Sequence, residues 1–399
     1  SKCTHMKLIV VGGSGYLGAR VVRQALLRGH SVTSISRSGG PPAGVTPAAE
    51  LEGAEWVAGD ATVPEVQARV GDADGVITTL GVFGTNERMR AVNGDANIAI
   101  VRAAAAGGVK RFVHVSAAEY GVIEGLIPGY FEGKRAADAE VARLFGSRGT
   151  VLRPGMVHGT RQAGPVQLPL WLLGAPLEAM GASQPGAALR AALGRFGGVL
   201  TPAIGVDTVA AAAVAAATGG GDDDGGGGSE AAGRDVAART LDYGGMVDLA
   251  RCEARAAGPV VELFWDGGCP LCRREIGYYQ RLDVDGRVAW TDIDAAPEAL
   301  QQHGVSQEEA MARIHAIGGR GQLLSGVPAF LAVWEQLPYW RLLPPLLTAA
   351  PGAVPLAEAA YRLFARHRLS VTGRRSLGAA TACRPPSAAA PAPGSAEPK

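Results

Sequence analysis

The feature that most constrains the fold is a glycine-rich turn directly after the first apolar segment. Residues 6–11 form a short apolar run, which is followed by glycines in the pattern GxxGxxG at Gly12, Gly15 and Gly18. Such a turn needs positive φ and a close approach of backbone to ligand, which glycine allows. The helix predicted after it, over residues 16–28, presents free N–H groups and the positive end of its dipole. The pattern predicts a loop that binds the pyrophosphate of a dinucleotide, and the alternative is a plain tight turn.

Strand and helix signals alternate through the first part of the chain. Short apolar runs separated by helical segments predict parallel βαβ units, with strands at residues 31–36, 55–58, 75–80, 111–116 and 150–152 and helices at 88–106 and 130–144. We therefore expect an α/β domain over residues 6–250, built as a Rossmann-type, doubly wound parallel sheet. Residues 240–249 are expected to return to this domain after a low-complexity, flexible loop at 218–235.

A second α/β pattern follows a predicted linker at residues 251–258. Strand signals at 260–265 and 288–292 flank a helical segment at 270–282, and further α/β segments follow at 308–316 and 329–334. These predict a smaller α/β domain over residues 259–370. The Pro/Ala/Ser-rich tail at 385–399 is expected to be disordered.

Composition excludes several classes of protein. The 38 Lys and Arg residues nearly balance 37 Asp and Glu residues, so nucleic-acid binding lacks its electrostatic driving force. Apolar runs stay below the roughly 18 residues of a membrane span. Five scattered cysteines argue against a secreted disulfide framework.

The end of the second strand indicates which dinucleotide binds. Ser36, Arg37 and Ser38 stand where an NAD site usually carries an acid for the ribose hydroxyls. An arginine between serines suits a 2′-phosphate, so we predict NADP(H), with NAD(H) as the alternative. Asp60, after the third strand, is a candidate acceptor for the adenine amino group, or a cap of the next helix.

The order of these motifs resembles the short-chain dehydrogenase/reductase superfamily, especially its extended or atypical branch, over about residues 6–250. The resemblance continues in the segment that ends in Ser116 and in the YxxxK motif formed by Tyr130 and Lys134. It implies that these three residues are catalytic. Lys134 lies one helical turn from Tyr130, so its ammonium is expected to lower the pKa of the phenol. The resemblance also implies cofactor contacts from Tyr16, Leu17, Ala61, Thr79, Leu80, Gly81 and Asn97.

Within that superfamily the sequence is most similar to atypical, quinone-associated members, namely the accessory NAD(P)-binding subunits of respiratory complex I and the coenzyme-Q-biosynthesis proteins. This implies an organellar location, the mitochondrion before the chloroplast, with the cytoplasm as the alternative. Residues 164–200 contain few polar groups, which favours a small apolar or quinone-like ligand. Because the sequence opens at Ser1 and not at Met, we expect that a targeting peptide has been removed or that the first residues are an added remnant.

Cys269 and Cys272 form a CxxC motif between a predicted strand and a predicted helix. The helix N-terminus favours the thiolate of Cys269, so we predict that this more exposed cysteine attacks and that Cys272 resolves the mixed disulfide. The alternatives are inert cysteines or half of a zinc site, which needs two further ligands. No metal is predicted.

Asp266 completes the signature of the thioredoxin-like DCC family, which residues 259–370 resemble. The resemblance implies a thioredoxin-like fold and thiol–disulfide exchange. Pro328 resembles the cis-proline that faces CxxC in thioredoxins, and its alternative is an ordinary strand-edge proline. Six arginines and no acid between residues 361 and 384 predict a peripheral membrane or partner contact, or a helix with a solvated basic face.

The sequence therefore predicts an NADP(H)-binding oxidoreductase with an appended CxxC module, linked to quinone metabolism or a respiratory complex. The alternative is a non-catalytic accessory or assembly protein of a quinone-linked complex, with NADPH as a structural cofactor. The expected partners are a small apolar ligand and a protein thiol or multi-subunit complex. We expect neither nucleic acid nor a transmembrane span.

Overall fold

The computed structural model describes residues 5–42, 50–163, 166–219, 237–283, 285–319, 321–337 and 340–371. The chain forms two compact units, Ser1–Ala256 and Ala257–Lys399. The predicted tail at 385–399 and most of the predicted loop at 218–235 lie outside the described residues. Among the described helices, none combines the length and the hydrophobicity needed to cross a membrane.

A seven-stranded parallel sheet forms the centre of the first unit. The strands of this unit are β1 (Lys7–Val11), β2 (Ser31–Ser36), β3 (Ala54–Ala58), β4 (Gly75–Thr78), β5 (Arg111–Val115), β6 (Gly149–Leu152), β7 (Val157–His158), β8 (Thr160–Ala163), β9 (Val166–Pro169), β10 (Ile204–Gly205) and β11 (Arg239–Leu241). The sheet has the order β11-β6-β5-β4-β1-β2-β3, and β7 with β10 and β8 with β9 form two small ribbons. The predicted doubly wound sheet is confirmed, with its order reversing between β1 and β4.

Helices cover both faces of this sheet. They are α1 (Tyr16–Leu27), α2 (Pro64–Val70), α3 (Asn86–Met89), α4 (Asn97–Ala106), α5 (Pro128–Phe145), α6 (Trp171–Ala182), α7 (Gln184–Ala192), α8 (Val206–Thr218) and α9 (Tyr243–Ala257). Leu8 and Val10 of β1 pack in the core with α1, α8 and α9, whereas Ile9 and Val11 pack in the core with α2, α4 and α5. Successive side chains of β1 are therefore buried on opposite faces of the sheet, which explains why the strand is apolar along its whole length.

Helices α6 and α7 lie within residues 164–200, where the sequence shows no clear helical period. Their apolar residues do not form one buried stripe, because Leu172, Leu173, Leu177 and Met180 are all exposed on α6. A helix that is apolar on its outer face gives no 3.6-residue period for prediction to detect. Residues 251–257, predicted as a linker, are the second half of α9.

The second unit is a smaller α/β domain, as predicted. Its strands are β12 (Val261–Trp265), β13 (Val288–Asp292), β14 (His315–Ile317) and β15 (Leu323–Ser325), and its helices are α10 (Pro270–Leu282), α11 (Gln307–Ala312), α12 (Val327–Trp334), α13 (Leu343–Ala349) and α14 (Ala353–Val371). The sheet order is β13-β12-β14-β15, with β12 and β13 parallel and β14 antiparallel to both of its neighbours. Residues of β12, α10 and α12 share one core, including Leu263, Ile276 and Val333.

Replacing Gly18 by alanine is expected to destabilise the first domain. An added Cβ would lie 2.2 Å from Gly12 O and 2.7 Å from Gly13 Cα, which are backbone atoms of the loop after β1. Overpacking of this kind costs about 1–3 kcal/mol, measurable by urea unfolding. Gly125→Ala is the control, because nothing lies within 4 Å of its added Cβ. Equal free energies of unfolding for the two variants would contradict the expected clash.

Candidate functional site

The loop after β1 lies at the reversal of strand order. Gly12 has φ of +91°, and its N–H donates to Ile35 O at 2.8 Å. Thr79, after β4, donates its hydroxyl to Val11 O and Gly12 O, both at 3.2 Å. The predicted pyrophosphate loop and the predicted contact residue Thr79 therefore meet at one crevice, as the carboxyl ends of parallel strands do.

The space beside Gly15 shows whether the phosphates of a dinucleotide fit this crevice. This exposed residue caps the N-terminus of α1 without a side-chain hydrogen bond, and a Cβ added to it would approach Gly12 O at 3.1 Å. The space beside Gly15 is therefore lined by backbone, and the N–H groups of the first turn of α1 lie next to it. These features fit a phosphate. Tyr16 and Leu17 begin α1, but the buried Tyr16 hydroxyl lies near Gly159, and burial raises the pKa of Tyr16 to about 12.

The predicted selectivity residues lie at the ends of β2 and β3. Ser36 Oγ lies 2.6 Å from Ser14 Oγ, while Arg37 and Ser38 are exposed. Asp60 Oδ1 accepts from Thr62 N at 2.9 Å and from Thr62 Oγ1 at 2.7 Å. These bonds lower the pKa of Asp60, and the charge of Arg37 adds to the effect. The residue before helix α2 is Val63, so Asp60 stabilises a turn rather than the helix.

Asparagines on the next helical segment hold the loop after β4. Residues Arg90–Ala96 form a π-helical turn between α3 and α4. Asn93 accepts from Val82 N at 2.8 Å and donates to Val82 O at 3.1 Å, and Asn97 donates to Asn93 O at 3.1 Å. Sequence reasoning predicted Asn97 as a site residue but not Asn93. Asn93 could have been identified as a polar side chain at a buried position of a helix, because such a side chain must find hydrogen-bond partners nearby.

Lys134 lies beneath this loop. Its side chain, on α5, is buried, and Nζ donates to Leu80 O at 2.8 Å and to Val115 O at 2.6 Å. Burial lowers the pKa of Lys134 to about 8, although Asp138 opposes the change. A Cβ added to Gly81 would lie 3.7 Å from Nζ, so three predicted site residues, Leu80, Gly81 and Lys134, come together.

Tyr130 is on the same helix but in a different environment. Its ring stacks on Phe83, with centroids 4.8 Å apart and planes 5° from parallel, and it meets Phe131 edge to face. Burial raises the pKa of Tyr130, and the cation that opposes this is Arg135. The expectation that Lys134 lowers this pKa is therefore wrong, because the ammonium is directed to backbone carbonyls. Ser116, buried after β5, is 3.4 Å from Arg135 Nη1.

A buried charged network supports Ser116 and α5, and sequence reasoning did not find it. Asp138 accepts from Arg153 Nη2 at 3.0 Å and from Arg135 Nη1 at 3.4 Å. The fully buried His114 shares a hydrogen bond of 2.9 Å with Thr78, and burial holds the pKa of His114 well below its usual value. The ion pairs of Asp138 with Arg135 and Arg153 thus fix α5 against the end of β6.

The CxxC motif caps α10 in the second domain. Cys269 is the residue before the helix, its N–H donates to Asp266 O at 3.1 Å, and Asp292 Oδ1 accepts from Gly267 N at 2.8 Å. Cys269 is 0% exposed, whereas Cys272 is partly exposed. The expectation that Cys269 is the more exposed cysteine is wrong, because the turn from β12 into α10 directs its side chain into the domain.

Cys272 lines a small cleft of the second domain. The cleft walls are mostly apolar and aromatic and come from β12, α10, α12 and α14, with Phe264, Ile276, Ile314, Phe330 and Phe364 among them. Pro328 is in the first turn of α12, and none of the peptide bonds in the described part of the chain is cis. The resemblance of Pro328 to a cis-proline facing CxxC is therefore wrong. Within the described residues no group of side chains is arranged to hold a metal ion.

Comparisons with known families agree with this division into two domains. Residues 12–169 match the NAD(P)H-binding family, and residues 263–374 match the DCC1-like thiol-disulfide oxidoreductase family. The chain is 36% identical over 173 residues to an uncharacterized chloroplastic protein of Arabidopsis thaliana, covering 43% of this chain and 57% of the relative. It is 33% identical over 123 residues to a second such Arabidopsis protein, covering 30% and 56%.

The chain is also 35% identical over 122 residues to the photosystem II assembly factor Ycf39 of Synechocystis, covering 29% of this chain and 36% of the relative. It thus spans about half or less of the length of the curated relatives it matches. Among solved structures, the Bordetella bronchiseptica enzyme WbmH in complex with NAD+ is 21% identical, with a TM-score of 0.38 over 55% of this chain and 74% of that one.

The stability of the protein between pH 8 and pH 10 is expected to depend on Lys134. Its folded-state pKa of about 8 lies below the usual 10.5, so the unfolded chain binds the proton more tightly in this range. The free energy of unfolding therefore rises with pH, by up to about 3 kcal/mol from this residue. Lys134→Met should remove this rise in urea unfolding, whereas Lys110→Met, at an exposed lysine, should keep it. Identical pH dependence in the two variants would contradict the assignment.

Proposed function

We propose that this chain, which joins an NAD(P)H-binding Rossmann domain to a DCC1-like thiol–disulfide oxidoreductase domain, is an NADP(H)-dependent oxidoreductase with a second, thiol-based activity. The observation that carries the first activity is the position of the Lys134 ammonium, which bonds to Leu80 O and Val115 O beside the glycine loop. A cation at this point can hold the hydroxyls of a ribose. A bound nicotinamide supplies the hydride.

Ser116, Tyr130 and Lys134 have separate roles in this proposal. Ser116 positions the substrate oxygen at the end of β5. Tyr130, whose phenol is protonated at neutral pH, donates the proton during reduction of a carbonyl or quinone. Lys134 keeps its charge below about pH 8 and orients the cofactor.

NADP(H) is proposed over NAD(H) because of the side chains that follow β2 and β3. Arg37 is exposed after β2 and has no acidic neighbour on its own strand end, where Ser36 and Ser38 flank it. Asp60, after β3, has its Oδ1 occupied by Thr62. A 2′-phosphate would therefore find one guanidinium and two hydroxyls.

Arg37→Asp is expected to weaken NADPH binding by about 1–3 kcal/mol, because charge-assisted hydrogen bonds to the 2′-phosphate are lost and a repulsive charge is added. NADH binding should change little, and titration calorimetry of both nucleotides measures the difference. Arg239→Asp, at an exposed arginine on the far edge of the sheet, is the control. Equal affinity of the unmodified protein for NADH and NADPH would refute the proposed selectivity.

Tyr130→Phe is expected to reduce NADPH-dependent reduction of a short-chain ubiquinone analogue about 100-fold or more, because the phenolic proton is lost. The dissociation constant for NADPH should stay unchanged. Tyr278→Phe, at an exposed tyrosine of the second domain, should keep full activity. Unchanged turnover in Tyr130→Phe would remove the proton-donor role.

A second candidate function is that of an assembly or accessory protein in which NADPH is bound but not consumed. It is favoured by Phe83, which is 72% exposed and lies flat on one face of the Tyr130 ring. The relative named as an assembly factor and the exposed leucines of α6 also suit a protein that docks onto others. Native mass spectrometry showing one retained NADPH, with no oxidation by any quinone tested, would favour this function.

We propose an organellar location, which the relatives support. Two of them are named as chloroplastic, which favours the chloroplast over the mitochondrion expected from the sequence. The apolar side chains exposed on α6 and α7, including Leu173, Met180 and Leu189, suit an apolar or quinone-like ligand. Organelle fractionation with an antibody against the protein tests the location.

A further inference from the structure

Helix α6 of the first domain turns its large apolar side chains away from the domain. Leu173, Leu177 and Met180 are spaced at i, i+4 and i+7, so they form one stripe along the helix. They are 73%, 44% and 58% exposed, whereas the residues that α6 buries are Gly174 and Gly181. The apolar stripe of a surface helix normally faces the core, so this stripe needs another cover.

The opposite face of α6 packs closely on the domain. A Cβ added to Gly174 would lie 2.2 Å from His158 Cβ, and one added to Gly181 would lie 3.0 Å from Pro202 Cα. Glu178, the one charged residue of α6, has its Oε2 at 2.6 Å from His158 Nε2. Rotation of α6 to bury the stripe would break this pair and force leucines into spaces that fit only glycine. The stripe therefore faces outward.

The exposed apolar surface continues beyond α6. Helix α6 packs against α7, and α7 packs against residues 194–200, which follow it. Large apolar side chains in β9, α7 and this last segment are between 40% and 53% exposed. Together with α6 they form a surface that we call the apolar face, consisting of Leu168, Leu172, Leu173, Leu177, Met180, Leu189, Leu193, Phe196 and Val199. A set of neighbouring exposed residues of this size indicates a contact surface rather than scattered exposure.

The charged groups beside the apolar face favour a negatively charged partner. Arg161 on β8 is exposed and lies directly across the ribbon from Leu168, and Arg190 belongs to α7. Neither arginine has an acidic partner among the described residues. The acids on α6 and on the segments that pack against residues 194–200 are already in ion pairs, namely Glu178 with His158, Glu119 with Arg153 and Glu124 with Arg135.

The outer side of α6 has the chemistry of a lipid contact. Within residues 172–182 Glu178 is the only polar side chain, and it is bonded to the buried His158. A protein partner usually forms about one hydrogen bond per 100–200 Å² of interface, whereas acyl chains require none. Helix α6 has 12 residues, and no described helix is able to cross a membrane. A short apolar helix of this kind lies in the plane of the membrane surface.

We propose that the apolar face binds the surface of an anionic lipid bilayer, with α6 in the plane of the membrane and Arg161 and Arg190 on lipid phosphates. The stripe of Leu173, Leu177 and Met180 then lies among the acyl chains just below the headgroups. This inference goes beyond the proposed redox function and does not depend on it, because lipid binding needs neither NADPH nor a reactive thiol.

Flotation of the full-length protein with vesicles of phosphatidylcholine and phosphatidylglycerol tests the lipid contact. The wild type should float with the vesicles. Leu173→Asp/Met180→Asp should lower the partition coefficient at least about tenfold, since burial of one large apolar side chain contributes this factor or more. Leu27→Asp, at a leucine of α1 that is 63% exposed, should float like the wild type. A wild type that stays in solution, or equal flotation of all three proteins, would overturn the proposal.

Arg161→Glu/Arg190→Glu tests the headgroup contact. Binding to the anionic vesicles should fall at least about tenfold, because two attractive charges near the surface are reversed. Binding to vesicles of phosphatidylcholine alone should change little. Arg239→Glu, at an exposed arginine of β11, should match the wild type on both kinds of vesicle. An equal loss in Arg239→Glu would contradict a contact made by this face, and near-ultraviolet circular dichroism verifies that each variant is folded.

Trp171, the first residue of α6, reports which surface meets the bilayer. Brominated phosphatidylcholine in the vesicles should quench the fluorescence of the wild type. Trp171→Phe should lose this quenching and still float. Unchanged quenching in Trp171→Phe would place another surface on the membrane and overturn the proposal. A wild-type dimer that Leu173→Asp/Met180→Asp dissociates, without flotation of the wild type, would also overturn it, because the apolar face would then join two copies of the chain.

Discussion

The reversal of strand order between β1 and β4 is the constraint on which the first domain depends. Because the connections leave these two strands toward opposite faces of the sheet, a crevice opens at their carboxyl ends. Thr79 closes its floor by bonding to the end of β1, and Gly18 lets α1 approach the loop closely enough to direct its N-terminus at the crevice. The glycine loop, Arg37 and the Lys134 ammonium lie together near the carboxyl ends of the strands because the sheet is parallel.

The elements of the first domain were predictable where burial on both faces leaves a continuous apolar run, as in β1 and β2, or where a helix has one buried stripe, as in α1. Helices α6 and α7 were not, because their exposed apolar residues remove the periodic contrast. Lys134 could be identified from its spacing to Tyr130, but its bonding to two carbonyls depends on where β4 and β5 end. That is a tertiary property, and so is the burial that raises the pKa of the Tyr130 phenol.

In the second domain the sequence identifies both cysteines but not which one is exposed. The dipole argument concerns the charge on sulfur and holds for any residue that caps a helix. Exposure depends instead on the turn between β12 and α10, which Asp266 and Asp292 brace through backbone N–H groups and which buries Cys269.

The two candidate sites use burial in the same way on groups of opposite charge. An ammonium loses hydration when buried, which lowers the pKa of Lys134 to about 8, and a carboxylate loses hydration when buried, which raises the pKa of Glu275. Each group is held by hydrogen bonds that burial makes necessary, Lys134 to strand-end carbonyls and Glu275 to Tyr279. Desolvation is therefore the common cause of both pKa changes, while the local hydrogen bonds decide where each polar group is held.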